Sequence, residues 1–282
     1  MEFANKVALV TGGSSGIGLA FSKALAAEGA HVWIIGRRPQ ALDEALAQIQ
    51  AAKKSTDQRF GSFSADVSDA DQVMKAVADL EGQVGTPDLL CTSAGVAHPG
   101  YVEELPLDIF REMMEINYFG TVYAVKAVLP GMLKRGSGAI VTISSVAGFL
   151  GTFGYTAYGA SKYAVRGFSD TLRAEVKPHG IQVSIVYPPD TETPQLAYES
   201  QFKPFETKEI SGTLKAMSAE AVAQVILKGV RSGRYTILPG MDGKLYYRLT
   251  SLVGDLTYPI MDMLVSDAIK KKAKQNSNGK GH

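Results

Sequence analysis

Residues 6–30 read KVALVTGGSSGIGLAFSKALAAEGA. The apolar run at 6–11 has strand composition, the glycines end it, and the Leu/Ala-rich pattern after Gly18 repeats with helical period. A glycine turn between strand and helix lets backbone approach a ligand closely and leaves a helix N-terminus to hold a pyrophosphate. Gly12, Ser14, Ser15, Gly16, Ile17 and Gly18 are therefore candidate binding residues. The same turn also fits a G-x-S-x-G nucleophile elbow with Ser14 as the nucleophile. A hydrolase would then need a carboxylate and a histidine at later strand ends, and neither His98 nor His179 has such a partner in the sequence.

Outward from this unit the alternation repeats. Strands are expected at 31–36, 60–65, 88–92, 139–144, 182–187 and 235–238, with helices at 39–54, 70–80, 107–134 and 155–177. Short apolar strands alternating with helices predict an α/β fold, a Rossmann-type doubly wound parallel sheet built from right-handed crossovers. Ligands bind beyond the carboxyl ends of such strands, so Thr11, Asp66, Ser93, Ser145 and Pro188 should share one edge. Residues 188–215, rich in Pro, Thr and Glu, interrupt the alternation as a lid or substrate loop would. The expected organisation is a domain at 1–243 followed by an extension at 244–282.

Composition narrows the classes. The chain has 282 residues, 29 basic and 28 acidic, and a net charge of +1, so no overall field selects nucleic acid as a partner. One cysteine, Cys91, excludes an intrachain disulfide and a cysteine-cluster metal site, and the four histidines lack ligand-like spacing, so no metal is expected. No run of apolar residues reaches a spanning length and the first residues lack a secretory pattern, which predicts a cytoplasmic protein, peripheral on a membrane at most.

The chemistry is concentrated in residues 144–162, SSVAGFLGTFGYTAYGASK. Tyr158 and Lys162 lie four apart, one helical turn, so an ammonium stands near a phenol and should lower its pKa. A free phenol, with a pKa of ~10, exchanges protons poorly at neutral pH, and a fixed cation is one of few remedies. Ser145, at the end of the preceding strand, is placed to hydrogen-bond the same substrate oxygen.

Together these residues resemble the short-chain dehydrogenase/reductases. TGGSSGIG (11–18), Asp66, SAG (93–95), Asn117, Ser145, Tyr158-x-x-x-Lys162, Pro188 and Thr193 occur in that family's order. The resemblance implies Tyr158 as acid/base, Ser145 as partner of the carbonyl oxygen, and Lys162 as both pKa-lowering cation and binder of the nicotinamide ribose. It implies that Asn117 holds a water linking Lys162 to solvent, that Asp66 and Val67 meet the adenine, and that Ala94, Gly95, Pro188 and Thr193 belong to the cofactor site. It also implies a homo-dimer or homo-tetramer paired through the long helix and the tyrosine helix. Two positions depart from the pattern: Thr92-Ser93 replaces Asn-Asn, and Pro188-Pro189 replaces Pro-Gly.

After the second strand the chain reads Gly36-Arg37-Arg38, with no carboxylate there to bind a ribose 2′-hydroxyl. Guanidinium groups suit a 2′-phosphate, which predicts NADP(H). Residues 187–207 and 218–243 resemble the branch of the family that reduces 3-ketodihydrosphingosine, implying reduction of a long-chain 3-keto lipid. A 3-oxoacyl thioester is the alternative, and a serine hydrolase or silent NADP-binding scaffold are rivals of another class. In the extension, Leu245, Leu249, Leu252, Val253, Leu256, Ile260, Met263 and Leu264 recur at helical spacing, with a break expected at Pro259. Lys270, Lys271, Lys272 and Lys274 follow as a cationic patch for anionic lipid, making 244–274 a candidate peripheral membrane contact.

Overall fold

The computed structural model describes residues 1–211 and 215–278, so the end of the extension and part of the 188–215 loop fall outside the description. In chain order the elements are β1 (Val7–Thr11), α1 (Gly16–Ala27), β2 (His31–Gly36), α2 (Pro39–Ala51), β3 (Phe60–Ser64), α3 (Ala70–Val84) and β4 (Leu89–Thr92). Next come α4 (Leu107–Met113), a π-helical stretch (Met114–Phe119), α5 (Gly120–Arg135), β5 (Gly138–Ile143), α6 (Thr156–Val176) and β6 (Ile181–Val186). The last third holds β7 (Thr191–Glu192), α7 (Pro194–Glu199), α8 (Phe205–Ser211), β8 (Met217–Ser218), α9 (Ala219–Arg231), β9 (Thr236–Ile237), α10 (Met241–Val253) and α11 (Thr257–Asn278).

Seven strands form one parallel sheet in the order β3-β2-β1-β4-β5-β6-β9, as the alternation predicts. Side chains of successive strand residues point to opposite faces, and the two cores divide accordingly. Ala8, Val10, Val32 and Ile34 pack with Phe21, Leu42, Ile49, Val222 and Ile226, from α1, α2 and α9, on one face. Val7, Leu9, Trp33 and Ile35 pack with Val73, Leu80, Val128 and Leu172, from α3, α5 and α6, on the other. The strand order reverses between β1 and β4, and the crevice at that reversal is where ligands bind in such sheets.

Three features depart from the sequence reading. Helix α9 was missed, although Ser218 caps it by accepting from the Ala221 N–H and its apolar residues recur at helical spacing. The long helix at 107–134 is continuous but contains the π-helical stretch, which widens it around Asn117. The break in the extension falls at Gly254, whose φ of +55° favours glycine, and not at Pro259. Pro259 is the third residue of α11, where the missing N–H has no intrahelical acceptor to lose.

Residues 188–215 are not a bare loop. They carry α7, α8 and β7, and β7 pairs with β8 beside the main sheet. Helix α11 lies against α8: Lys272 donates to Glu206 at 3.0 Å, Tyr101 donates to Glu206 at 2.7 Å, and Lys271 pairs with Glu209 at 3.0 Å.

Candidate active site

At the carboxyl ends of β1, β4, β5 and β6 a cavity of about 590 Å³ opens. Gly12, Ser15, Gly16, Ile17, Ala94, Gly95, Ser145, Tyr158, Lys162, Pro188 and Thr193 all line it, so most of the residues singled out in the sequence meet in one place. The glycine turn is tight by construction. A Cβ on Gly18 would stand 2.3 Å from the Gly12 carbonyl oxygen, so any side chain there would push the turn off the helix. Ser15 caps α1 without a side-chain hydrogen bond, and the first turn holds no acidic residue. Its free N–H groups therefore favour an anion. This cradle fits a dinucleotide pyrophosphate.

The arginines and the adenine-side residues lie off the cavity, at the ends of β2 and β3. Arg37 and Arg38 are exposed, and Arg37 stands 3.7 Å from Asp66. Reading the β2 end alone missed this carboxylate, because it arrives from the neighbouring strand. Val67 is buried in the core beneath Gly120.

Tyr158 and Lys162 are both almost fully buried on α6. Burial pushes the Tyr158 phenol well above its ordinary range, a hydrogen bond with Ser145 and another with Gln195 pull it back, and the charges of Glu199 and Asp190 add to the rise. The expected lowering by Lys162 is corrected here. The Lys162 Nζ stands 5.6 Å over the Tyr158 ring centroid and donates to the Ile143 carbonyl at 3.0 Å, and its own pKa is pushed down to about 8 by burial. Desolvation is the largest cause of the shift in both groups.

The Asn117 side chain is engaged in three hydrogen bonds within the protein. Its Oδ1 accepts from the Val96 N–H at 2.9 Å, while Nδ2 donates to the Val96 carbonyl at 3.0 Å and to Ser161 Oγ at 2.9 Å. It braces the segment after β4 against α6. Among the described residues Ser14 has no histidine partner: His31 begins β2, where its Nδ1 accepts from the Arg59 N–H, and His179 ends the turn before β6, both at the opposite end of the sheet, whereas the His98 ring lies against Phe202. The nucleophile-elbow reading therefore has no relay among the described residues.

Sequence reading missed the other side of the cavity. Gln195, Glu199 and Asp190 line it with Tyr155, and Lys203, buried beside them, lies 3.0 Å from Asp190 and 3.6 Å from Glu199. The i, i+4 spacing of Glu199 and Lys203 was a usable signal, but such pairs are usually solvated. Leu150, Met217, Tyr246, Met261 and Leu264 supply apolar wall, the last three from the extension.

The family model for short chain dehydrogenase matches residues 6–203. The chain belongs to this family. A short chain dehydrogenase is a nicotinamide-dependent oxidoreductase, and curated relatives share most of this chain's length. The 3-ketodihydrosphingosine reductase of Bos taurus is 39% identical over 250 residues, covering 88% of this chain and 75% of the relative. The 3-dehydrosphinganine reductase of Danio rerio is 38% identical with the same coverage. Among solved structures, a short chain dehydrogenase/reductase from Burkholderia phymatum in complex with NAD superposes with a TM-score of 0.79 at 25% identity, covering 89% of this chain and 94% of that one. Among the described residues, no helix of this dehydrogenase is long and apolar enough to cross a membrane.

Proposed function

We propose that this dehydrogenase reduces the 3-keto group of a long-chain sphingoid base, with NADPH as the reductant. The observation that carries the reading is the polarity of the cavity. Ser145 and Tyr158 line it with polar groups, whereas Tyr246, Met261 and Leu264 of the extension make an apolar wall suited to an alkyl chain. The curated relatives named above support the substrate.

The bound nicotinamide supplies hydride to the carbonyl carbon. Ser145 holds the carbonyl oxygen and Tyr158 gives it a proton, so a ketone becomes an alcohol and the phenol becomes a phenolate to be reprotonated. Gln195 orients the phenol. Lys162 lines the cavity with its Nζ over the Tyr158 ring, placed to bind the nicotinamide ribose. Asn117 keeps the 93–96 segment and α6 in register.

Arg37 and Arg38 support NADPH over NADH. The Arg37–Asp66 contact is long and solvent-exposed, so it is weak and leaves the guanidinium free for a phosphate. Half-buried Tyr118, Phe119 and Phe168, with the Tyr118 ring touching both phenylalanines across the long and tyrosine helices, support pairing of two copies there. The exposed apolar residues of α10 and α11 support peripheral membrane contact through 244–274. The expected cationic patch is revised, because Lys270, Lys271 and Lys272 pair with Asp267, Glu209 and Glu206.

The test is NADPH and NADH oxidation with 3-ketodihydrosphingosine, shorter 3-keto homologues and a 3-oxoacyl thioester. The reading requires the highest kcat/KM for the long sphingoid ketone with NADPH. Turnover of the thioester alone overturns it.

A further inference from the structure

Next to the Ser145/Tyr158 end of the cavity lies a charge arrangement that ketone reduction does not use. Lys203 is buried with only 7% of its side chain exposed, and it serves two carboxylates: Asp190 at 3.0 Å and Glu199 at 3.6 Å. Glu199 is as deeply buried, at 8%. Asp190 is 43% exposed and solvated, so the buried pair is Lys203 with Glu199, and the Glu199 side chain lines the cavity. Lys203 offsets only part of the cost of burying the Glu199 carboxylate, and a cation entering the cavity would favour its ionised form.

Position says where that cation must sit. Tyr155 hydrogen-bonds Glu199, and its ring centroid is 5.6 Å from that of Tyr158. Glu199 and Asp190 are near enough to act electrostatically on the Tyr158 phenol. In an α-ammonio ketone the nitrogen and carbonyl oxygen are roughly 3 Å apart, as are the nitrogen and oxygen within one amino-acid residue. A ketone oxygen on Tyr158 therefore leaves a neighbouring ammonium beside the wall of the cavity that Tyr155, Glu199 and Asp190 line.

We propose, resting on the sphingoid-base reading above, that Glu199, seconded by Asp190, receives the substrate's 2-ammonium group and so selects α-ammonio ketones over neutral 3-ketones. Burial pushes the Glu199 carboxyl up to about 7, against the pull of Lys203, so that without substrate it is close to half protonated at neutral pH. A bound ammonium holds it ionised, and the same ammonium offsets the anionic field that raises the Tyr158 phenol. Lys162 does not compete for this place, because its Nζ is turned to the Ile143 carbonyl.

The experiment compares 3-ketodihydrosphingosine with 1-hydroxyoctadecan-3-one, the same chain without the amine, on the wild type, Glu199→Gln and Glu199→Asp. A charged hydrogen bond of ordinary strength gives the wild type a preference of about 30-fold in kcat/KM for the amine. Glu199→Gln should remove most of that preference, chiefly by raising KM for the amine, and Glu199→Asp should restore part of it. Equal wild-type turnover of both ketones overturns the assignment, as does an equal loss on both in Glu199→Gln, which would mark a structural role. The wild-type ratio decides even if Glu199→Gln does not fold. Turnover of neither sphingoid ketone overturns the substrate reading itself, and the assignment with it.

Discussion

Lys162 approaches Tyr158 over the face of its ring, 5.6 Å from the centroid, while its hydrogen bond goes to the Ile143 carbonyl at 3.0 Å. A buried ammonium kept this way destabilises the folded chain below its own pKa. The lysine's pKa falls from 10.5 unfolded to about 8 folded, so the unfolded state binds more protons between those values and stability rises with pH across that window. Lys162→Met should therefore be more stable than wild type at pH 7, by up to roughly 3 kcal/mol, and lose that advantage by pH 10. Urea unfolding at the two pH values measures it. The same variant should lose turnover by orders of magnitude, as should Tyr158→Phe, because each removes part of the proton path.

Arg38 offers two readouts of opposite sign. It occupies the N-cap of α2 with extended backbone and no side-chain capping bond. Arg38→Asp should stabilise α2 by ~1 kcal/mol, because aspartate accepts from the first-turn N–H groups. It should at the same time lower kcat/KM with NADPH by about 10- to 100-fold and raise the NADH/NADPH ratio, since a carboxylate repels a 2′-phosphate. An unchanged ratio in a stabilised variant would refute the NADPH assignment at this residue.

The strands, the glycine turn and the Ser145, Tyr158, Lys162 set were legible because each depends on local pattern: period two, period 3.6, or four-residue spacing. What was not legible depends on distant neighbours. Tyr158 is buried among Ala97, Met113 and Ala147, its phenol meets Gln195, and the Asp66 carboxylate reaches Arg37 from the next strand. The Glu199–Lys203 pair reads as a solvated helix pair until α7 is seen folded over the cavity. Lys271 and Lys272 read as a free cationic tail because their partners, Glu209 and Glu206, lie more than sixty residues away.

Lys272 and Glu206 join the last helix to the cover of the cavity. The Glu206 side chain is 5% exposed; burial alone would raise its pKa, but hydrogen bonds from Tyr101 and Lys272 hold it below the usual value of 4.5. The stability it contributes is present above that unfolded value and is lost as pH falls through the lower folded one. Lys272→Ala should cost about 1–2 kcal/mol at pH 7, a Tm drop of a few degrees, and the difference from wild type should vanish in acid. Release of α11 from α8 should raise KM for the long-chain ketone more than it lowers kcat. Glu206→Gln with Lys272→Ala should cost less than the two separate losses added together.

The apolar row of α10 and α11 supplies the last prediction. Leu252 is 85% exposed and Leu256 67%, with Leu245, Tyr258 and Met263 also open, while three of the nearby lysines are engaged with acidic side chains. An unpaired lysine near an anionic surface contributes ~1 kcal/mol, and pairing reduces that. A leucine moved from water into apolar surroundings contributes about 1.5–3 kcal/mol. Insertion of the leucines should therefore dominate, and attraction to lipid charge should add little. Leu252→Asp combined with Leu256→Asp should abolish co-sedimentation with phosphatidylcholine vesicles and leave reduction of a short, water-soluble 3-ketone unchanged, because neither residue lines the cavity. Lys271→Ala should change co-sedimentation by less than about 3-fold, whether or not phosphatidylserine is present. Binding that appears only with phosphatidylserine and disappears in high salt would reverse this order, placing lysine charge ahead of the leucine row.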